Sequence, residues 1–124
     1  MINVRVAPKK SDHPTFNKGA KLAYTFDGKE GLILKLVRRK IYKFNVDTVG
    51  HPFYFTTDSM GSHGNNESLM GNEPVTDKGI TTFYVRSDLP KKFYYQCQIH
   101  PNMGGDVEII DNLDIKYATM LLFI

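Results

Sequence analysis

The chain has 124 residues, 41% of them hydrophobic and 23% charged, enough apolar content for the core of one domain and too much for a disordered tail or linker. The net charge of +3 and pI of about 8.9 are modest. The basic clusters Lys9-Lys10, Arg38-Arg39-Lys40 and Lys91-Lys92 belong to no nucleic-acid motif, so they read as solvated surface, and no nucleic-acid partner is expected.

The predicted elements are short and strand-like. Alternating apolar residues mark Ile2–Val6, Lys21–Phe26, Leu32–Val37, Ile41–Val46 and Phe53–Thr57, then Ile80–Val85, Lys92–Cys97 and Asp106–Ile110. Turn chemistry separates them at Asp27-Gly28, Val49-Gly50, Lys78-Gly79, Leu89-Pro90 and Gly104-Gly105. About eight strands with no helical period predict an all-β sandwich or barrel. The expected organisation is a single domain over 1–124. It carries a long polar loop at 58–78, with one turn of helix around Glu67–Met70, and an apolar extension at 114–124 that reads as a last strand or an interface segment.

One cysteine excludes an internal disulfide. That cysteine, Cys97, ends an aromatic strand and begins Cys-x-x-His-x-x-Met with His100 and Met103. Composition alone would place His and Met at those offsets about once in 800. The loop that carries them closes through Pro101 and Gly104-Gly105 into another strand, so all three side chains can surround one point. A thiolate is soft and suits Cu(I), imidazole suits both oxidation states, and a weakly held thioether tunes the potential. The site combining these is a trigonal His2Cys arrangement with a long axial Met, which needs a second histidine. His51, in the bend Gly50-His51-Pro52, is the first candidate and His63, in the polar loop, the second. His13 reads as an exposed loop residue. Met60, Met70 and His63 together are too spread for a second Cu(I) site. Zinc on Cys and two His is the competing metal, but zinc makes little use of Met.

These segments resemble a known family. "LKLVRRKIYKFNVDTVGHPFYF", "GITTFYV" and "KFYYQCQIHPNMGG" are similar to the small blue copper proteins, the cupredoxins, and most of all to the plastocyanin and amicyanin type. The resemblance covers roughly residues 24–110, and Cys-x-x-His-Pro-x-Met is its most specific part. It implies a Greek-key β-sandwich holding one copper ion, cycling between Cu(II) and Cu(I). His51, Cys97 and His100 would be the equatorial ligands and Met103 the axial one. The implied role is one-electron transfer with a redox partner protein, an acidic one if the basic clusters steer it. Pro52 departs from the Asn that often follows the first histidine in this family, which leaves the tuning of the sulfur open.

Two other roles fit the same sandwich: copper storage or delivery, and a structural module without redox turnover. Enzymatic readings find little support. Cys97 and His100 share one turn, whereas a nucleophile and its base come from separate segments. No carboxylate pair, phosphate-binding glycine loop or HExxH is present, so the chain is not expected to be an enzyme by itself. No apolar run approaches the roughly 18 residues of a membrane span, so no membrane insertion is expected. The opening "MINVRVAPKK" has no apolar leader core. The expected location is therefore inside a cell or particle, or outside after loss of a leader. The oligomeric state is not legible.

Overall fold

The computed structural model describes residues 1–73 and 75–111. The predicted extension at 114–124 lies outside the described residues. The described residues form nine strands: β1 (Ile2–Pro8), β2 (Leu22–Phe26), β3 (Lys29–Glu30), β4 (Leu34–Val37), β5 (Ile41–Asp47), β6 (Phe53–Thr56), β7 (Lys78–Tyr84), β8 (Lys92–Cys97) and β9 (Gly105–Ile110). The eight predicted strands are all among them. The ninth, β3, is the return arm of a hairpin. Asp27 and Gly28 both take positive φ, 49° and 86°, as a two-residue type I′ turn requires. Phe26 then pairs with Lys29.

The strands make two mixed sheets, in the orders β3-β2-β1-β5-β7 and β4-β9-β8-β6. Most pairings are antiparallel, but β1 with β5 and β4 with β9 run parallel. The inner faces meet over rings. Tyr24, Phe26, Phe44, Phe53, Phe55, Phe83, Phe93 and Tyr95 are all buried, and most neighbouring pairs stand edge to face, such as Phe26 on Tyr95 with ring centres 4.8 Å apart. Edge-to-face contacts suit the ring quadrupole and add about 0.5–1.5 kcal/mol per pair beyond burial.

One strand departs from simple alternation. All four residues of β6 are buried, because the segment after it folds back along the free edge of this edge strand. Leu69 N donates to Phe55 O at 2.8 Å, Thr56 Oγ1 donates to Asn66 O at 2.9 Å, and Thr76 bridges back to Phe53. The expected turn of helix near Glu67–Met70 is absent. Glu67 takes a φ of 52°, and Ser68 joins Thr56 in an isolated bridge instead. Among the described residues there is no helix long and apolar enough to cross a membrane.

Candidate metal centre

Three elements deliver the candidate ligands to one end of the sandwich. β8 ends on Cys97, which pairs with Phe53 at the start of β6. That pairing brings the residues just before β6 to the residues just after β8. His51 is fixed by its backbone: its N donates to Thr48 O at 2.7 Å, and its O accepts from the Thr48 and Tyr24 hydroxyls at 2.8 and 2.9 Å. Gly50 makes the bend at φ 86°, and its N donates to Asp77 Oδ2 at 2.9 Å.

The result is a His51–Cys97–His100 group in which one ligand atom from each residue lies within 4.8 Å of the others. Cys97 Sγ stands 3.8 Å from His100 Nδ1, and the two imidazole rings are 4.6 Å apart centre to centre. Sγ also accepts from the N–H groups of Ile99 and His100, each at 3.4 Å. Such donors suit a sulfur that carries negative charge when it ligates a metal. Burial, and then the His100 ring, hold the His51 imidazole below the ordinary histidine range, which keeps it in the neutral form that can ligate.

Whether this donor set suits a metal can be tested on one atom. His51 Nδ1 is the one buried side-chain nitrogen or oxygen among the described residues without a hydrogen-bond partner. A buried polar atom left unpaired costs about 1–3 kcal/mol, and a group held toward a thiol and a second imidazole is satisfied by a soft cation. Met103 follows in the same loop and is fully buried. Two imidazoles, a thiol and a nearby thioether fit a blue copper site.

His63 is not part of the group. Its Nδ1 pairs with Asp58 Oδ2 at 2.6 Å in the outer loop. Met70 is a core residue whose sulfur accepts from Phe55 N at 3.4 Å. His13 is buried rather than exposed, its Nδ1 accepting from Thr15 N at 3.1 Å. Burial, and then the nearby Lys9, lower its pKa.

The surroundings show what sequence reasoning missed. Tyr24, which the sequence placed only within the strand Lys21–Phe26, holds His51 O and Pro52 O through its hydroxyl at 2.9 and 3.2 Å. Burial first, and then the Cys97 thiol, push its phenol well above the ordinary range. Thr15 Oγ1 donates to Asn102 O and Ala20 N to Pro101 O, both at 2.9 Å, so the segment after β1 braces the ligand loop. Pro52 cannot supply the side-chain bond of the family's Asn, yet its carbonyl accepts from Gln98 N at 3.1 Å and still ties the two ligand segments together. Phe53 is fully buried, and exposed apolar side chains at this end include Val49, Met60 and Ile99. Of the three basic clusters, Lys9-Lys10 follows β1 at the ligand end, where Lys9 Nζ donates to Thr15 O and Lys18 O, and the other two lie away from the site. Arg38-Arg39-Lys40 lies in the turn between β4 and β5, and Lys91-Lys92 opens β8, at the end of the sheets away from Cys97.

No protein-family model matches the sequence, and no curated protein matches it. The fold, however, is similar to solved copper proteins. A methionine-to-glutamine variant of rusticyanin superposes with a TM-score of 0.51 at 16% identity, over 87% of this chain and 76% of that one. The McoA multicopper oxidase of the hyperthermophile Aquifex aeolicus superposes with a TM-score of 0.55 at 12% identity. That match spans 95% of this chain but 28% of the oxidase. The fold is therefore cupredoxin-like, the two-sheet sandwich that the ligand-loop resemblance implies. At these identities the likeness to rusticyanin and to the oxidase is one of fold.

Proposed function

We propose that the protein binds one copper ion through His51, Cys97 and His100, with Met103 as a weaker axial ligand, and carries single electrons. The observation that carries this reading is the unpaired, buried Nδ1 of His51 in the same group as the Cys97 thiol and the His100 ring. Copper bound there supplies a one-electron Cu(II)/Cu(I) couple.

The chain's own part is to hold the donors still. Cys97 and His51 are anchored by β8 and by the Thr48 and Tyr24 hydrogen bonds, and the ligand loop is tied on both sides by main-chain bonds. A preset geometry leaves little to rearrange when the charge on the ion changes. The same bracing favours electron carriage over copper delivery, since release of cargo requires the ligand loop to open. His100 is half-buried and flanked by exposed Ile99, so its ring is the exit for the electron. Val49, Met60 and Ile99 around it form an uncharged surface for a redox partner.

The test is an absorption titration of Cu(II) into the reduced protein beside Cys97→Ser. An intense visible thiolate-to-copper band that saturates at one equivalent, and is missing in the serine variant, is the expected result. A colourless titration with the thiol still fully reduced and accessible overturns the copper reading. A band without a reversible one-electron couple would keep the copper and remove the electron-transfer role.

A further inference from the structure

Along β8 the alternation of side chains turns Phe93, Tyr95 and Cys97 into the core and leaves Tyr94 and Gln96 on the outer face of the sheet. Gln96 is nevertheless only 2% exposed. Its cover is the start of the long loop. Gly61 lies so close that a Cβ on it would sit 3.0 Å from Gln96 Cβ and 3.3 Å from Oε1. Beneath this cover both ends of the amide are used. Nε2 donates to Ser59 O at 2.8 Å, and Oε1 accepts from Gly104 N at 3.0 Å.

The partners of that amide enclose one residue. Gly104 directly follows Met103. Ser59 directly precedes Met60, whose carbonyl accepts from Asn102 N at 2.7 Å, and Asn102 directly precedes Met103. The segment at 59–60 therefore holds Met103 on both flanks, once through its own backbone and once through Gln96. Tyr24 N, donating to Met103 O at 3.3 Å, adds a third anchor from the other sheet. An outer-face residue covered by a loop could as well be apolar. A buried primary amide is tolerated only when both its ends are satisfied, and here satisfying them fixes the chain at Met103.

We infer that Gln96 is a positioning residue that fixes the Met103–Gly104 backbone and so sets the reach of the Met103 thioether toward the His51–Cys97–His100 group. The thioether half of this inference rests on the copper reading above; the backbone half does not. It also gives the first part of the long loop a task, as the clamp on the ligand loop.

The test is a double-mutant cycle read on Cu(I) affinity, by competition with a chromophoric Cu(I) chelator, together with amide hydrogen exchange on the copper-free protein. Met103→Leu is expected to weaken Cu(I) binding about tenfold in the parent and less than threefold in the Gln96→Leu background, because the thioether is already misplaced there. An equal loss in both backgrounds overturns the coupling and leaves Gln96 as filler. In the unmodified protein the Gly104 amide is expected to exchange as slowly as the amides of the β8–β9 ladder, and at least tenfold faster in Gln96→Leu. A freely exchanging Gly104 amide in the unmodified chain overturns the inference without any variant. Should the parent take up no copper, the exchange result still decides whether Gln96 holds Met103. The copper reading and the positioning role thus fail separately.

Discussion

The two ends of the sandwich are held together by different chemistry. At the ligand end, loops are tied mainly by main-chain hydrogen bonds: Ala20 N to Pro101 O, Asn102 N to Met60 O, Ser62 N to Cys97 O, Gly64 N to Gln98 O and Gln98 N to Pro52 O. The side chains that assist are mostly neutral, Thr15, Tyr24, Thr48 and Gln96, joined by two single charges: Asp77 Oδ2 accepts from Gly50 N, and the buried Lys9 Nζ donates to Thr15 O and Lys18 O. At the far end the work falls to charges. Arg38 Nε meets Asp111 Oδ1 at 2.5 Å, its Nη1 donates to Leu89 O at 2.8 Å, and Lys91 Nζ reaches Asp111 Oδ2 at 3.1 Å. Arg38 and then Lys91 hold the Asp111 carboxyl below the usual range. Long charged side chains trade geometries easily and respond to salt, whereas short neutral ties do not. The proposed copper site, which would need close placement of its donors, sits at the end built mainly from the second kind.

The sharpest way to break the ligand end is through its closest packing. A Cβ on Gly104 would stand 1.5 Å from Tyr95 O and 2.6 Å from Tyr95 C, both backbone atoms that cannot step aside. Gly104→Ala is therefore expected to cost more than about 4 kcal/mol or to prevent folding, among the largest effects of a single substitution. Denaturant unfolding of the copper-free protein measures it, and a loss below about 1 kcal/mol would show that the ligand loop yields where these contacts make it rigid.

A smaller effect tests the ligand end by pH. His13 is buried with Nδ1 accepting from Thr15 N, and Thr15 in turn holds Asn102 O. Its pKa is lowered by burial and then by Lys9, against smaller opposing effects from Glu30 and Asp12. The sign follows from linkage. Unfolded His13 takes up a proton near pH 6.5 while the folded residue resists it, so its contribution is fully present above about pH 6.5 and is lost as pH falls toward the lowered folded value. The melting temperature of the copper-free protein should drop from pH 7 to pH 5, and the drop should be smaller in His13→Gln. An unchanged drop in the variant would mean that another group carries the pH dependence. Charged ties at the Arg38 end should contribute little over this window, because Asp111 stays ionised throughout it.

How much of this was legible in the sequence differs between strand and loop. The strands were, because a period of two with aromatic and β-branched residues has one reading, and β3 escaped only for its length of two residues. Cys97, His100 and His51 were also legible, since metal donors at fixed offsets are rare in a short chain, and the structure brings those three side chains together. What could not be read is what lies over what. Gln96 breaks the aromatic run "FYYQC", and that was the available signal, but alternation assigns it to the exposed face, and only the loop folded across β6 and β8 makes it buried. His13 was misplaced for the same reason, since a histidine in a Pro- and Lys-rich segment looks exposed until that segment packs on the ligand loop. Charge was misjudged in the other direction. Arg38-Arg39-Lys40 and Lys91-Lys92 stand at the far end because β5 and β8 run from there toward His51 and Cys97, whereas Lys9-Lys10 follows β1 at the ligand end.

That last point yields the smallest effect, and it tests the comparison most directly. From Lys92 to Cys97, β8 alone spans about 17 Å at roughly 3.3 Å per residue, and the β4–β5 turn is at the same far end. In water a unit charge about 20 Å away contributes about 0.2 kcal/mol before screening, and two Debye lengths of salt reduce that to roughly 0.03 kcal/mol. Reversing both Arg39 and Lys40 to Glu changes four units of charge, or on the order of 0.1 kcal/mol at the site, which is about 4 mV for one electron. Both residues are exposed, so stability should move by no more than about 0.5 kcal/mol per substitution. Arg39→Glu/Lys40→Glu should therefore leave the copper band in place and the potential within about 10 mV of the parent, by voltammetry. Association with an acidic partner discriminates further. If docking is at the His100 end, the on-rate at physiological salt should fall less than threefold. A fall of tenfold or more would mean that the partner docks on the basic end, some 20 Å from the ion, and that His100 is not where the electron leaves.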